Sequence, residues 1–328
     1  MTRRGEFALI RDLFAPLARV RPEALGLEDD AALLAVQGLG GLAVSADAIV
    51  AGVHFLPDDP PGSIAAKALR VNLSDMAAMG ARPVGVLLTM ALPAGLDDAW
   101  LESFARGLGE DLAAFEIALL GGDTVATPGP LTVSVTILGD VVPERALRRA
   151  GARVGDDLWV SGTLGDGTLG LRVARGGAMG LPWPLQEALR ERYRRPVPRV
   201  ALGQALVGVA SAAMDISDGL CADAWHMARA SGVGLRIEAP VLPVSEGAAT
   251  LIADDPALFV EVLAGGDDYE LLFTAPADQR DAVAAGAAAC GTLVTRIGRV
   301  EAGEAAVVVV DAQGEPLALE RTGWAHDA

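Results

Sequence analysis

The feature that most limits the fold is a hydrophobic period that keeps switching between helical spacing and short apolar runs, lapses once in mid-chain, and then resumes. Gly5 to Leu17 places Phe7, Ile10, Leu13, Phe14 and Leu17 at spacings of three and four, as on an amphipathic helix. Strands are expected at Ala31–Val36 and Leu42–Ala46, and a helix at Ser63–Met79 closed by Gly80. A strand at Val84–Leu92, a helix from Asp97-Asp98 to about Ala114, a short strand into GGDT and a strand at Leu131–Val141 follow. PERALRRAGARVGD, at 143–156, is basic and aperiodic and reads as a junction. The pattern then restarts with a strand at Asp157–Ser161, the glycine-rich turn GTLGDGTLG and a helix. An Arg-rich helix at 185–195, a strand, turn and helix start in SAAMDISDGL, and strands in GVGLRIEA, YELLFTA, TRIGRV and AAVVVVD complete it. Mixed elements on both sides of the junction predict two α/β (α+β) domains, 1–148 and 149–328.

Composition then removes whole classes of function. Lys+Arg 26 against Asp+Glu 43 gives a net charge of −17, which repels phosphodiester backbones and anionic lipid, so neither nucleic acid nor membrane is expected as a partner. Lys67 is the only lysine and is followed by Ala68, so there is no G-x-x-x-x-G-K-[ST] loop and no V-A-I-K strand. If phosphates are handled, metal ions and arginines must carry the positive charge. His54, His226 and His326 are too scattered for H-E-x-x-H, and Cys221 and Cys290 form neither a zinc motif nor a disulfide framework. The opening MTRRGEFALIRDLF has too short an apolar stretch for a signal peptide. The longest uncharged run, between Asp123 and Asp140, is broken by Pro128, Gly129 and Pro130, so a cytoplasmic location is expected.

The chemistry lies in aspartates expected at element ends beside small residues: Asp29-Asp30, Asp47, Asp75 in NLSD, Asp123 in GGDT, Asp215 and Asp218 in DISDG, and Asp267-Asp268 in GGDD. Unpaired, such charges cost several kcal/mol to bury beside apolar segments, so a cation should meet them. Magnesium fits, because it takes carboxylate oxygens from scattered loops together with substrate phosphates. The calcium pattern D-x-[DN]-x-[DN]-G is missing. Gly121-Gly122 and Gly265-Gly266 would let backbone approach a polyphosphate, which points to a nucleotide. Taken singly, each signal has a plainer reading. Asp29, Asp218 and Asp268 suit caps or turns, GGDT a tight turn, His54 a satisfied partly buried histidine, and Arg148 and Arg149 solvated linker charges. A faint echo pairs Asn72–Asp75 with Asp215–Asp218, and Asp29-Asp30 with Asp267-Asp268.

In order and spacing, GEFALI, DDAALL, SADAIVAGVHF, KALRVNLSDMAAMGA, LLGGDT, VSGTLGD, MDISDGL and GGDDYELLFT together resemble the bacterial thiamine-monophosphate kinases, from about residue 4 to Trp324. NLSDxAAMGA, GGDT and DxSDGL are shared with the wider aminoimidazole ribonucleotide synthetase-like superfamily. The resemblance implies that superfamily's two-domain architecture, with the N-terminal domain pairing across a homodimer. It also implies transfer of the γ-phosphoryl group of ATP directly, in line, to thiamine monophosphate, the last step of thiamine diphosphate biosynthesis, with several magnesium ions. Carried over by position, Asp30, Ser45, Ala46, Asp47, Asp75, Asp123, Asp215 and Asp218 correspond to metal positions. Gly122, Asp123, Arg149 and Ser217 correspond to nucleotide contacts, and His54, Asp267 and Trp324 to substrate contacts. No general base is implied; charge neutralisation through metal-bound Asp123, Asp47 and Asp75 is. Three positions depart from the family pattern: Glu28 replaces a glycine, Ala46 a threonine, and Asp267 the commoner glutamate. A ribonucleotide synthetase-type enzyme and a noncatalytic nucleotide-binding scaffold are the rival readings.

Overall fold

The computed structural model describes Leu25, residues 28–36, 39–177 and 180–317, and Gly323; the helix expected at Gly5–Leu17, and Trp324, lie outside them. The first half gives β1 (Ala32–Val36), β2 (Leu39–Val50), α1 (Pro61–Ala78), β3 (Arg82–Pro93), α2 (Asp98–Ala114), β4 (Ala118–Thr127) and β5 (Thr132–Asp140). Their sheet has the order β1-β2-β5-β3-β4, antiparallel except for the β3–β4 pair. The second half gives β6 (Asp157–Ser161), α3 (Asp166–Ala174), α4 (Trp183–Arg194), α5 (Val200–Leu206), β7 (Ala212–Ile216), α6 (Leu220–Ser231), β8 (Gly234–Glu238), α7 (Glu246–Asp254), α8 (Leu258–Ala264), β9 (Glu270–Ala275), α9 (Arg280–Ala289), β10 (Val294–Glu301) and β11 (Ala306–Val310). These strands form a mixed sheet ordered β11-β8-β10-β6-β9-β7. The architecture is two-domain α/β. No helix among the described residues is long and apolar enough to cross a membrane.

Helix α1 is the element on which both halves meet. Its residues are small or apolar on almost every face, and 15 of its 18 residues are buried. Ile64, Leu69, Leu73 and Met76 pack into the core of the first sheet. Ala77 and Ala78 instead join Leu202, Leu206, Leu271 and Phe273 of the second. A helix buried all round has no solvated face on which to place polar groups, so its Lys67, Asn72, Ser74 and Asp75 are inside the molecule. Gly80 closes it with φ +64, a conformation that glycine adopts without a Cβ clash.

Several expectations are corrected here. Asp47 and Asp123 lie in the interiors of β2 and β4, and Asp75 is inside α1, so none of the three marks an element end. GGDT is extended strand throughout, not a turn. The echo also fails as structure, since NLSD lies within a helix whereas DISD runs from the end of β7 into a turn. Helices α5, α7, α8 and α9 have no counterpart among the expected elements: at 7 to 10 residues they are too short for a helical apolar period to stand out.

Candidate active site

Three of the aspartates converge. Carboxylate oxygens of Asp30, Asp75 and Asp215 all lie within 4.8 Å of one another. The loop before β1 brings the first, α1 the second and β7 the third. Ser45 of β2 donates its hydroxyl to Asp75 Oδ2 at 2.5 Å. Arg149 grips Asp30 Oδ1 through its guanidinium, with Nε at 3.1 Å, and its backbone N–H donates to Asp29 Oδ1 at 2.9 Å. Asp30 Oδ2 is buried and has no hydrogen-bond partner.

The electrostatics follow from that crowding. Burial, together with the charges of Asp47, Asp215 and Asp30, holds Asp75 well above the ordinary carboxylate range. Burial and the charge of Asp30 push Asp215 up to about 7. Burial raises Asp29 to about 6 against the pull of Arg149. Asp75 and Asp215, whose carboxyls burial keeps from ionising, together with the orphaned oxygen of Asp30, form a hard-oxygen donor set that suits a divalent cation such as magnesium.

The remaining positions divide by place. Asp47 is exposed on β2; its backbone N–H donates to Asn72 Oδ1 of α1 at 3.0 Å, so strand and helix are tied beside Asp75. Ala46 points to the opposite, exposed face of the same strand. Ser217 and Asp218 lie in the turn after β7, and their backbone N–H groups both donate to Asp223 Oδ2 at 3.0 Å. Asp223, unforeseen in the sequence, holds this turn from the first turn of α6; an acidic residue at a helix start was its only signal. Asp268 keeps the plain reading, accepting N–H groups of Gly165 at 2.8 Å and Gly167 at 3.0 Å at the start of α3.

One chain does not bring Asp123 to the cluster. In the first sheet Asp47 pairs with Val135, Leu88 with Val135, and Leu88 with Gly122, so Gly122 stands three strands from Asp47, about 14 Å at roughly 4.8 Å per strand. Asp123 pairs with the exposed Thr89, on the face away from α1, and its Oδ1 accepts only the N–H of Thr124, at 2.8 Å, among the described contacts. The glycines also do something other than cradle a ligand. A Cβ on Gly122 would lie 1.8 Å from the Leu88 carbonyl oxygen, and one on Gly266 would lie 2.1 Å from that of Ser217. Their missing side chains make room for protein backbone.

On the acceptor side, His54 Nδ1 accepts the Val50 N–H at 3.0 Å, which leaves the ring proton on Nε2 as a donor. Asp267 is bound at 2.5 Å by Lys67 Nζ. A side chain on Gly323 would meet Ala222 at 2.3 Å and the Asp218 carbonyl oxygen at 3.3 Å, so Gly323 lies against the start of α6 and the Asp218 turn; Trp324 lies outside the described residues.

Comparison with known proteins gives this geometry a family. Residues 28–141 match the AIR synthase related protein N-terminal domain, and residues 153–311 its C-terminal domain. The thiamine-monophosphate kinase of Caulobacter vibrioides is 44% identical over 324 residues, covering 98% of this chain and 90% of that one. A solved structure described as AaThiL complexed with AMPPCP and TMP is 34% identical, with a TM-score of 0.85 and 99% of each chain covered. The thiamine-monophosphate kinase structure from Stenotrophomonas maltophilia K279a is 43% identical, with a TM-score of 0.78 over 93% of this chain and 98% of that one. With two independent matches across nearly its whole length, the chain belongs to the thiamine-monophosphate kinases, an enzyme family built on the two AIR synthase related domains.

Proposed function

We propose that this enzyme transfers the γ-phosphoryl group of ATP in line onto a phosphate oxygen of thiamine monophosphate, giving thiamine diphosphate and ADP. The bond from the γ-phosphorus to ADP breaks as the bond to the acceptor oxygen forms. The observation that carries the reading is the Asp30–Asp75–Asp215 cluster with its orphaned buried oxygen. Magnesium, when bound, would supply the positive charge that two polyanions need. Asp30, Asp75 and Asp215 would hold it, with Ser45, the backbone carbonyl of Ala46 and Asp47 of β2, Asp218, and Asp123 as further ligand positions.

The acceptor oxygen is ionised near neutral pH, so no side chain has to take a proton from it; hydroxyl kinases differ in this. The task is to position two anions. Two unit charges at 4 Å repel by about 4 kcal/mol at an effective dielectric of 20, or more than two decades in rate. Arg149 is anchored by Asp30 and directs a fixed positive charge toward the nucleotide phosphates, beside Gly122, Asp123 and Ser217. His54 and Asp267 orient the thiamine phosphate, and Trp324 stacks on one of its rings.

We assign residues 1–148 to nucleotide binding and dimerisation and 149–328 to completion of the cleft, in a cytoplasmic homodimer. Strand β4 supports the dimer. Among the described residues it is a sheet edge with no further strand beside it, bearing exposed Leu119, Leu120 (54% exposed) and Val125, continuous with exposed Val84 and Leu87 of β3. A second copy seated there is also what would bring Asp123 to a carboxylate cluster, that of its partner. The test is ADP release with thiamine monophosphate, thiamine and an aminoimidazole ribonucleotide precursor as alternative acceptors. Turnover dependent on magnesium and restricted to thiamine monophosphate is expected. Use of the ribonucleotide precursor, or of none of them, would overturn the reading.

A further inference from the structure

The proposed reaction makes no use of the chain's only lysine, although Lys67 is among its most buried large side chains, at 1% exposure. Its ammonium donates to Asp267 Oδ2 at 2.5 Å and to the His54 carbonyl oxygen at 2.8 Å, and it lies 4.0 Å from the centre of the Tyr193 ring. Its surroundings therefore come from the loop after β2, the loop before β9 and helix α4. Burial strips the ammonium of water, and a carboxylate, a carbonyl and an aromatic face replace that hydration from both halves of the molecule.

The loop it holds is itself constrained. Asp267 has φ +75 and Tyr269 φ +52, two left-handed residues that are not glycine, in one turn. Such conformations cost about 1–3 kcal/mol each and persist where the surroundings impose them. Here the Asp267 N–H donates to the Ser217 carbonyl at 2.9 Å and the Tyr269 N–H to that of Ile216 at 2.8 Å, which fixes the backbone. The carboxylate, its side chain 25% exposed, is paired with Lys67 and also takes a side-chain hydrogen bond from Tyr269; Lys67 is its one cationic partner among the ion pairs of the described residues. The aspartate here is one methylene shorter than the glutamate of the family pattern, so its aim depends on what restrains it.

We infer that Lys67 is a positioning residue for the acceptor substrate: a single buried ammonium that holds the Asp267 carboxylate and the His54 segment in register across the two domains. The inference rests on the proposed function, which places thiamine monophosphate against those two residues. Lys67 lies two helical turns from Asp75, about 12 Å along α1, so one helix serves the acceptor end and the metal end of the cleft.

The test is a cycle of Lys67→Met, Asp267→Asn and the double variant, measuring KM for thiamine monophosphate, KM for ATP and kcat. The Lys67→Met variant is expected to raise KM for thiamine monophosphate at least fivefold with KM for ATP within twofold. The double variant should be no worse than the poorer single one, because Lys67 acts through Asp267. An unchanged KM for thiamine monophosphate, equal rises for both substrates, or fully additive effects would overturn the inference. A second measurement does not depend on the variants folding. Because Lys67 is the only lysine, wild-type protein labelled with carbon-13 at lysine Cε gives one resonance. Thiamine monophosphate should shift it, and a non-hydrolysable ATP analogue alone should not; no shift at saturation overturns the inference. If the wild type does not phosphorylate thiamine monophosphate at all, the proposed function fails and this inference falls with it. Normal turnover with an insensitive Lys67 sinks the inference alone.

Discussion

Replacing Asp215 by asparagine should make the metal-free protein more stable while removing its response to magnesium. Burial and Asp30 raise the Asp215 carboxyl from an ordinary 3.8 to about 7, a change worth about 4 kcal/mol. One carboxylate pair at 4.8 Å repels by about 3.5 kcal/mol at an effective dielectric of 20, the same scale. Since the folded value lies above the unfolded one, this group favours the fold below about pH 4, and that advantage is lost as pH rises through 7. At pH 8 the ionised carboxylate therefore burdens the fold by up to about 4 kcal/mol, and at pH 5 by less than about 2. An amide of the same size carries no such burden. In EDTA at pH 8, Asp215→Asn should melt about 3–6 °C higher than wild type, taking roughly 2 cal/mol/K of unfolding entropy per residue, and the gain should shrink toward pH 5. Magnesium at one hundred times its dissociation constant should add about 2.7 kcal/mol to the wild type and nothing comparable to the variant. Circular-dichroism melts with EDTA and with saturating magnesium read both effects. A variant less stable than wild type at pH 8 in EDTA, or one that keeps the full magnesium shift, would refute the reasoning.

Asp123→Asn should lose turnover with its fold retained, and normal turnover at saturating magnesium would remove Asp123 from the metal site. Because Asp123 stands three strands from Asp47 on an exposed face, mixing inactive Asp123→Asn and Asp215→Asn subunits should restore activity, as each heterodimer then holds one intact site. No recovery after demonstrated subunit exchange would place Asp123 in its own chain's site. Leu120→Glu on the edge of β4 should convert the dimer to a folded monomer with much reduced turnover, read by light scattering and the ADP assay; an unaltered dimer would acquit this edge. His226 is lowered from 6.5 to about 4, by burial first and then by Arg149 and Arg229, so it favours the fold above pH 6.5, and that contribution fades as pH falls toward 4. The stability difference between wild type and His226→Gln should therefore narrow by up to about 3 kcal/mol from pH 7 to pH 4, and a constant difference would discard the account.

Much of the architecture is legible in the sequence because local period reflects local burial. The helix expected at Ser63–Met79 and the strand at Asp157–Ser161 differ from the observed α1 and β6 by two residues or fewer at either end. A tight turn is the plainer reading of GGDT because paired glycines normally end a strand. Here they continue one, since β4 must approach the Leu88 carbonyl more closely than any Cβ allows. The aspartates stood out by type and neighbourhood, yet Asp223, which holds the Ser217–Asp218 turn, looked like any acidic residue opening a helix.

By itself the sequence determined which chemistry was available: many carboxylates, arginines for every basic role but one, no phosphate-loop lysine, and local periods for two mixed α/β halves. Only the tertiary structure decided how those groups are used. It joined Arg149 to Asp30 across 119 residues and Lys67 to Asp267 across 200, and it turned Asp123 to the face opposite Asp47. The reason is physical. Period and propensity act over a few residues, whereas strand register and burial set which distant charges meet and how far water is excluded from them. Those two quantities turn a list of aspartates into a site one cation short of neutrality.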